Sequence, residues 1–250
     1  MRMTRTIGIL GGKGPEATSE LFRLIIANTP ITVEEDHLRI IIDNNPQIPK
    51  PALGITGEGE DPTLALVETA QNLERAGAAF IVIPCNSAHY FIDAIRCAIG
   101  IPIVNIMEET ITTVQSSGCR CVMLLATSGL IKSGIYQKAL TEAGIEVLQP
   151  DDDEQAELWR GTLLFKDKNE KAPLRATVSR IIGRLGDAGA AGTVLGCTDI
   201  PPALSDMNFS IPIFNTLEIL AKAAVREATQ TKAQRSNAGQ YIPGKQKTSC

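Results

Sequence analysis

The second half of this chain repeats landmarks of the first half, and this repeat constrains the fold more than any other feature. Residues 76–86 (AGAAFIVIPCN) align with residues 188–198 (AGAAGTVLGCT) at a constant offset of 112 residues. Downstream of them, residues 101–105 (IPIVN) match residues 211–215 (IPIFN) at an offset of 110. A repeat of about 110 residues has the size of a domain, so it predicts two similar domains rather than a solenoid.

Short apolar strands alternate with helical segments along the chain. The predicted strands lie at residues 6–10, 38–43 and 80–84, and the predicted helices at 15–28, 63–76, 92–99, 106–116 and 216–229. Residues 44–62 read as a loop rich in proline and glycine, and residues 151–171 as a solvated loop. Short apolar strands separated by helices indicate a parallel sheet covered on both faces. The sequence therefore predicts an α/β fold of two pseudo-symmetric, doubly wound domains, with the active site in the cleft between them.

The repeat also predicts where the domains divide. Because the last helix is expected to return to the first half, the first domain comprises residues 1–103 and 213–229, and the second comprises residues 104–212. Residues 230–250 read as a frayed tail, in which Cys250 is an incidental thiol.

Composition and charge exclude several classes of function. The chain has 250 residues with a net charge of -4, so no bulk field would recruit nucleic acid or an anionic membrane. Aromatic residues make up 4%, which argues against surfaces that stack bases. No apolar run approaches the roughly 18 residues of a membrane span, and the N-terminus reads as a strand rather than a signal peptide. We therefore expect a cytoplasmic protein without nucleic-acid or membrane partners.

Six cysteines are spread through apparent strands, helices and loops, a distribution that favours reduced thiols over disulfides. Cys97 and Cys121 read as packing residues, because free cysteine is among the most buried residue types. Cys119 reads as a turn residue. With two histidines and no zinc-like spacing, a metal site is not expected.

Cys85 and Cys197 differ from the other cysteines. Each follows an apolar strand and precedes a polar pair, which places the thiol at a strand-to-helix turn. Backbone N–H groups and a helix dipole would stabilise a thiolate there. Ligands bind beyond the carboxyl ends of the strands in open parallel sheets. The two thiols are therefore expected on opposite walls of one cleft.

Two equivalent thiols suit the inversion of a stereocentre without a cofactor. A base must remove the α-proton from one face, and an acid must deliver a proton to the other face. The reverse reaction exchanges these roles, and a thiol can serve in both of them. The productive state would hold one thiolate and one thiol with coupled titrations.

Three segments resemble signatures of the aspartate/glutamate racemase family. They are residues 11–18 (GGKGPEAT), 84–89 (PCNSAH) and 195–201 (LGCTDIP), and the resemblance extends over about residues 5–228. It implies a racemase of acidic amino acids that needs neither pyridoxal phosphate nor a metal, has two pseudo-symmetric α/β domains and often forms a homodimer. It also implies that Cys85 and Cys197 are the catalytic acid and base.

The same resemblance assigns the groups that bind the substrate. Asn86, Ser87 and Thr198 would hold the α-carboxylate and the amine, and Thr127 would meet the substrate from the second domain. Gly12 lies in the glycine loop that borders the cleft.

The cationic contacts depart from the family pattern. Lys13 stands where the family usually has Met, and the Arg expected after residues 45–49 is absent. Lys50 or Lys13 would then act as a point charge without the bidentate fork of an Arg. A second cationic contact maps to Lys166, with Lys168 as the alternative. The departures leave the substrate open among aspartate, which is favoured, glutamate and a methylated aspartate. In the second-domain loop, Leu130 also replaces a usual Thr.

Other interpretations remain at this point. The glycines of residues 8–14 do not form the dinucleotide fingerprint, and residues 151–153 lack the spacing of a calcium loop. His89, one helical turn past Cys85, would either tune the thiolate or serve packing. The scaffold could run another proton transfer, as in a hydantoin racemase, a decarboxylase or a dicarboxylate isomerase, although the presence of both cysteines argues against a decarboxylase. A non-catalytic two-lobed binding protein for acidic amino acids is also open.

Overall fold

The computed structural model describes residues 4–230. Its strands are β1 (Ile7–Gly11), β2 (Ile40–Asn44), β3 (Phe80–Val82), β4 (Ile103–Val104), β5 (Cys121–Leu125), β6 (Glu146–Leu148), β7 (Thr193–Leu195) and β8 (Ile213–Asn215). Its α-helices are α1 (Pro15–Asn28), α2 (Pro51–Thr56), α3 (Thr63–Arg75), α4 (Ile92–Ala98), α5 (Ile106–Ser117), α6 (Ser128–Ser133), α7 (Ile135–Glu142), α8 (Asp152–Lys168), α9 (Lys171–Asp187) and α10 (Thr216–Thr229).

The strands form two parallel four-stranded sheets with the same topology. The first sheet has the order β2-β1-β3-β4 and the second the order β6-β5-β7-β8. Each strand of the first sheet therefore has its counterpart four strands later in the chain. The predicted fold class, two pseudo-symmetric α/β halves with parallel sheets, is confirmed.

Three apolar clusters explain why the two sheets lie as they do. One cluster joins the inner faces of both sheets, from Ile7 and Ile9 of β1 to Val122 and Leu124 of β5, with helices α1, α5 and α10 between them. The outer face of the first sheet packs against α3 and α4, and that of the second against α9 and its neighbours. Because successive side chains of a strand point to opposite faces, neighbouring apolar residues of these strands supply both cores.

Helices α5 and α10 link the two halves at equivalent places. Asn105 accepts hydrogen bonds from the N–H groups of residues 107 and 108, and Asn215 accepts the equivalent pair from residues 217 and 218. Each asparagine thus caps the helix that follows its strand. Helix α10 packs against α1 and α5, whereas β8, which starts at the predicted domain boundary of residue 213, pairs with β7 in the second sheet.

Several local expectations are wrong. Residues 152–168 are helix α8 rather than a solvated loop, and its N-terminus is a capping box between Asp151 and Glu154. The loop expected at 44–62 contains helix α2. By contrast, Cys85, Cys119, Cys121 and Cys197 are free thiols, as the spread of the cysteines predicts. The expectations for the tail after residue 230, including Cys250, lie outside the described residues.

Within residues 4–230, no helix combines the length and the apolar character that crossing a membrane requires.

Candidate active site

The two equivalent cysteines directly follow the end of an interior strand. Cys85 lies three residues after β3 and Cys197 two residues after β7, and each strand has a neighbour on both sides. Cys85 is half-buried and Cys197 is 6% exposed. The described structure therefore places both thiols at the carboxyl ends of their sheets, where this class of fold binds ligands.

Hydrogen bonds across the two halves hold these strand ends together. Thr198 Oγ1 donates to the carbonyl oxygen of Pro84 over 3.2 Å. From the opposite direction, Asn86 Nδ2 donates to Thr216 Oγ1 over 3.0 Å, and Thr216 Oγ1 donates to the carbonyl oxygen of Leu195 over 2.9 Å. The residue after each cysteine thus reaches into the other half, so the positions of the two thiols are coupled through buried polar contacts.

Asn86 also carries an acceptor that nothing in the described protein uses. Its side chain is 2% exposed, and its Oδ1 is buried without a hydrogen-bond partner among the described residues. An unpaired buried acceptor costs free energy unless a ligand or water donates to it. The side-chain carbonyl of Asn86, the residue after Cys85, can therefore accept a hydrogen bond from a donor such as an ammonium group.

Ser87 and Thr127 are predicted substrate-binding residues from different halves of the chain, and their side chains are in contact. Their hydroxyl oxygens are 3.0 Å apart. Thr127 Oγ1 also accepts a hydrogen bond from the N–H of Leu130 at the start of α6, and Gln155 Nε2 donates to the carbonyl of Ala126 just before it. Side chains from both halves therefore form one hydroxyl pair close to Cys85.

The glycine loop lies against the segment that follows β2. Gly12 has φ +98, and a Cβ there would lie 2.2 Å from the carbonyl oxygen of Asn45, so glycine is required. Lys13 Nζ donates to the carbonyl oxygens of Pro46, at 3.0 Å, and Ile48. Its ammonium is thus already bound to the loop of residues 45–50. Lys50 is exposed at the start of α2.

Asp199 is the residue of the site that sequence reasoning missed. Its Oδ2 accepts a hydrogen bond from Lys166 Nζ over 2.9 Å and lies 3.9 Å from Cys197 Sγ. Its Oδ1 would be 3.1 Å from a Cβ on Gly14, so it also borders the glycine loop of the first half. Its position two residues after a candidate catalytic thiol is the feature of the sequence that could have identified it. Of the two lysines considered for the second cationic contact, Lys166 is the one that joins this cluster, while Lys168 is exposed near the end of α8.

The expectation that the strand-to-helix turns lower the pKa of both thiols is wrong for the unliganded protein. Burial raises the pKa of Cys85 to about 11, although the N–H groups of Ser87 and Ala88 lower it as the strand-to-helix turn predicts. Burial also raises the pKa of Cys197, and the charge of Asp199 raises it further. Desolvation disfavours the charged form more than the local dipoles favour it. Both cysteines are therefore neutral thiols at pH 7.

The same charges act on both thiols. Asp199 raises and Lys166 lowers the pKa of Cys85 as well as that of Cys197, and an ionised Cys85 would raise the pKa of Cys197. The four groups therefore share one electrostatic environment, and the two titrations are coupled.

His89 serves packing and capping rather than the thiolate. Its Nδ1 lies 2.9 Å from the carbonyl oxygen of Cys85, and its Nε2 accepts a hydrogen bond from the N–H of Ile106 over 3.3 Å. These partners require a neutral ring with the proton on Nδ1. Burial lowers the pKa of His89 to about 4. The imidazole thus ties the Cys85 turn to the first residue of α5.

The side chains of this arrangement include groups that can exchange protons with a ligand. In residues 4–230, no group of three or more His, Cys, Asp or Glu side chains is placed to hold a metal ion. Two thiols, an unused amide carbonyl, a hydroxyl pair and a lysine–carboxylate pair could bind a small zwitterion and exchange protons with it.

Comparison with known proteins gives a consistent result. Residues 10–224 match the profile of the Asp/Glu/Hydantoin racemase family. The chain is 28% identical over 225 residues to the broad specificity amino-acid racemase RacX of Bacillus subtilis, covering 88% of this chain and 96% of that protein.

Solved structures with the same fold include two related to aspartate racemases. An aspartate racemase of Picrophilus torridus has a TM-score of 0.80 and 27% identity, covering 92% of this chain and 98% of that one. An aspartate racemase homologue of Pyrococcus horikoshii has a TM-score of 0.75 and 28% identity, covering 90% of this chain and 100% of that one.

Proposed function

Because the chain belongs to the Asp/Glu/Hydantoin racemase family, we propose that it racemises an acidic amino acid without a cofactor, with aspartate as the favoured substrate and glutamate as the next. Cys85 and Cys197 exchange the roles of base and acid in the two directions. The observation that carries this proposal is the placement of two thiols at equivalent strand ends of two equivalent sheets, within one electrostatic environment.

The substrate itself helps to ionise a thiol. The ammonium group donates to Asn86 Oδ1, the acceptor that is buried and unpaired, and its positive charge next to Cys85 favours the thiolate. The hydroxyl groups of Ser87, Thr127 and Thr198 orient the α-carboxylate. This arrangement reconciles a thiol pKa of about 11 in the unliganded protein with a thiolate base at neutral pH in the complex.

Inversion then takes two proton transfers. The thiolate on one side of the α-carbon takes the α-proton, and the electron pair of the broken C–H bond is delocalised onto the α-carboxylate. The thiol on the other side donates its proton to the opposite face, so the C–H bond forms with inverted configuration. The enzyme finishes with the thiol and the thiolate exchanged, ready for the reverse reaction.

The side-chain carboxylate of the substrate meets lysines. Lys166 lies beside Asp199 and Cys197, and Lys13 and Lys50 act from the first half. None of these offers the bidentate fork of an Arg, and two of them are already hydrogen-bonded to protein oxygens. Recognition of an acidic side chain is therefore weaker than an Arg clamp would provide.

That weak recognition favours a second candidate, racemisation of a broader range of amino acids. Asp199 presents a carboxylate beside Lys166, so the side-chain pocket holds charges of both signs. The similarity to a broad specificity racemase supports the same idea. The values of kcat/KM for aspartate, glutamate, serine and lysine distinguish the two candidates: a preference of less than roughly tenfold for aspartate favours the broad range.

Incubation with L-aspartate in deuterated water tests the proposed function. We expect deuterium at the α-position of both enantiomers, measured by mass spectrometry after chiral separation. Cys85→Ser and Cys197→Ser should each abolish the interconversion, and Cys119→Ser, at a half-buried thiol beyond the amino end of β5, should not. If the serine variants bind aspartate and racemise it like the unmodified protein, or if no amino acid of the panel exchanges its α-proton, the proposal is wrong. Retained binding without any turnover by the unmodified chain would favour the binding-protein alternative.

A further inference from the structure

A buried threonine between the two halves is not part of the chemistry proposed above. Thr216 is the first residue of α10, and its side chain is fully buried. Its Oγ1 accepts a hydrogen bond from Asn86 Nδ2 over 3.0 Å and donates one to the carbonyl oxygen of Leu195 over 2.9 Å. The hydroxyl group therefore joins the residue after Cys85 to the end of β7.

The directions of these two hydrogen bonds fix the orientation of the Asn86 side-chain amide. A hydroxyl group has one proton, and Thr216 donates that proton to the carbonyl oxygen of Leu195. Toward Asn86 the hydroxyl group can therefore only accept, so the NH2 group of the amide faces Thr216. An amide turned by 180° would place two oxygen atoms in contact without a proton between them.

This orientation leaves Asn86 Oδ1 as the buried acceptor of the candidate active site that has no partner among the described residues. A carbonyl oxygen only accepts, and an ammonium group gives it a charge-assisted hydrogen bond. The reversed amide would instead present N–H donors, which repel an ammonium group and suit a ligand oxygen. The orientation of one amide thus determines which kind of ligand group fits beside Cys85.

The internal repeat shows that the scaffold does not require this hydroxyl group. At the offset of 110 residues Thr216 is equivalent to Ile106, and both are fully buried first residues of a helix capped by an asparagine. An apolar residue therefore fits at this place in the fold. The residue after Cys197 is Thr198, which has no amide to orient and donates to the carbonyl oxygen of Pro84. The hydroxyl group at the helix start is thus found where it contacts an amide.

We propose that Thr216 is a positioning residue that makes the site selective for ligands with an α-ammonium group. It acts through Asn86, because it holds the amide with Oδ1 directed toward the ammonium group. This inference rests on the proposed function, in which the ammonium group of the substrate donates to Asn86. Succinate has the two carboxylates of aspartate but no ammonium group, so its binding gains nothing from this orientation.

Binding of aspartate and succinate to the full-length chain, measured by isothermal titration calorimetry, tests this role without requiring turnover. Racemic aspartate is used, so that racemisation does not change the composition of the ligand. Thr216→Val removes the hydroxyl group and keeps the branched shape. We expect the Kd of aspartate to rise roughly tenfold or more, because the hydrogen bond to a charged group is weakened, and the Kd of succinate to change less than about twofold.

Two further variants separate positioning from packing. Thr216→Ser keeps the hydroxyl group and should bind aspartate nearly as tightly as the unmodified chain. Thr162→Val is the matched control, because Thr162 is 2% exposed and its hydroxyl group donates to the carbonyl oxygen of Leu158 in its own helix. It should leave both dissociation constants unchanged. Circular dichroism checks that each variant is folded.

A double-mutant cycle shows whether Thr216 acts through the amide. Asn86→Ala should weaken aspartate binding about as much as Thr216→Val does, and the double variant should be no weaker than Asn86→Ala alone. A measurement on the unmodified chain needs no substitution at Thr216. The side-chain amide signal of Asn86 in the NMR spectrum, identified by its loss in Asn86→Ala, should be protected from hydrogen exchange both with and without aspartate, since Nδ2 keeps its partner.

Four results would overturn the proposal. They are an unchanged affinity of Thr216→Val for aspartate, equal weakening of aspartate and succinate, additive effects in the cycle, and an Asn86 amide that loses its protection when aspartate binds. A Thr216→Ser variant as weak as Thr216→Val would overturn it as well. An unmodified chain that exchanges no α-proton contradicts the proposed function, whereas a chain that racemises aspartate and gives one of these results contradicts only the role of Thr216.

Discussion

Asp199 Oδ2 lies 3.9 Å from the Sγ of Cys197, and the repeat places Ser87 at the position equivalent to Asp199. The scaffold is therefore symmetric in topology but not in charge. Cys197 has a carboxylate neighbour where Cys85 has a hydroxyl and two N–H donors. In the unliganded protein the pKa of Cys197 is therefore raised more than that of Cys85, by burial first and by the charge of Asp199 second.

Replacing Asp199 by Asn should lower the pKa of Cys197 more than that of Cys85. The change removes the negative charge next to Cys197 and leaves Lys166 without its counter-ion. Because the pair is partly exposed, solvent screens part of its charge, and we expect roughly a tenfold faster alkylation of Cys197 by iodoacetamide at pH 8. Peptide mass spectrometry of each thiol measures both rates in one experiment.

Lys166→Gln serves as the opposing variant, since it removes the cation and should slow alkylation of Cys197. If both variants change the two thiols equally, Asp199 does not create the asymmetry.

Alkylation of Cys85 in the unliganded protein should rise steeply with pH. Its pKa of about 11 lies above the ordinary value, so the reactive thiolate is a minor species at pH 7 and increases roughly tenfold per pH unit up to about pH 10. The raised pKa also means that the thiol stabilises the fold below its unfolded-state pKa and that this contribution is lost as the pH rises toward 11. Saturating aspartate should flatten the alkylation profile by protecting the cysteine. A rate that levels off below pH 8 would contradict the raised pKa.

Substitution of Gly129 by Ala should disturb a contact between the two halves. A Cβ at Gly129 would lie 2.1 Å from the carbonyl oxygen of Ala52, so α6 of the second half and α2 of the first half could not keep their present contact. Gly129 lies two residues after Thr127, so the displacement reaches the hydroxyl pair with Ser87. Overpacking costs about 1–3 kcal/mol of folding stability, and the displacement of Thr127 should lower kcat/KM roughly fivefold or more, the change produced by a loss of about 1 kcal/mol of transition-state stabilisation.

Gly183→Ala is the matched control, because nothing lies within 4 Å of a Cβ at that helical glycine of α9. It should leave kcat/KM unchanged and raise stability by about 0.4–1 kcal/mol. Equal activities of the two variants would show that the contact between α2 and α6 does not matter for catalysis.

The sequence was sufficient for the parts of the fold that depend on periodicity. The repeat around Cys85 and Cys197 predicted two equivalent halves, and apolar strands without polar alternation predicted sheets covered on both faces. Helix α8 was missed because its acidic and basic residues read as solvated loop, although Asp151 and Glu154 carry the spacing of a capping box. Local composition outweighed a capping signal that was present.

The parts of the site that the sequence did not predict depend on contacts between the halves. Asp199 acquires its role from Lys166, 33 residues earlier in the chain, and from the glycine loop of the other half. The thiol pKa values were predicted in the wrong direction because a local reading counts N–H groups and helix dipoles. The local sequence does not show the desolvation that packing of the two halves imposes on Cys85 and Cys197.

His89 should make the folded state sensitive to mild acid. Its pKa is about 4 in the folded protein because the ring is buried, and about 6.5 in the unfolded chain. The unfolded state therefore binds the proton first, and stability is lost as the pH falls from about 6.5 toward 4. A shift of this size corresponds to about 3 kcal/mol over the whole range and about 2 kcal/mol between pH 6.5 and 5. Urea unfolding at pH 7.5, 6 and 5 measures the loss.

His89→Gln should remove that part of the pH dependence, at the cost of lower stability at pH 7.5, because Gln does not reproduce both contacts with the backbone of Cys85 and Ile106. The only other histidine of the sequence, the exposed His37, provides the control, and His37→Gln should keep the slope of the unmodified protein. If His89→Gln retains that slope, titrating carboxylates rather than the buried imidazole are responsible for the acid sensitivity. If His37→Gln is the variant that loses it, the assignment to His89 is wrong.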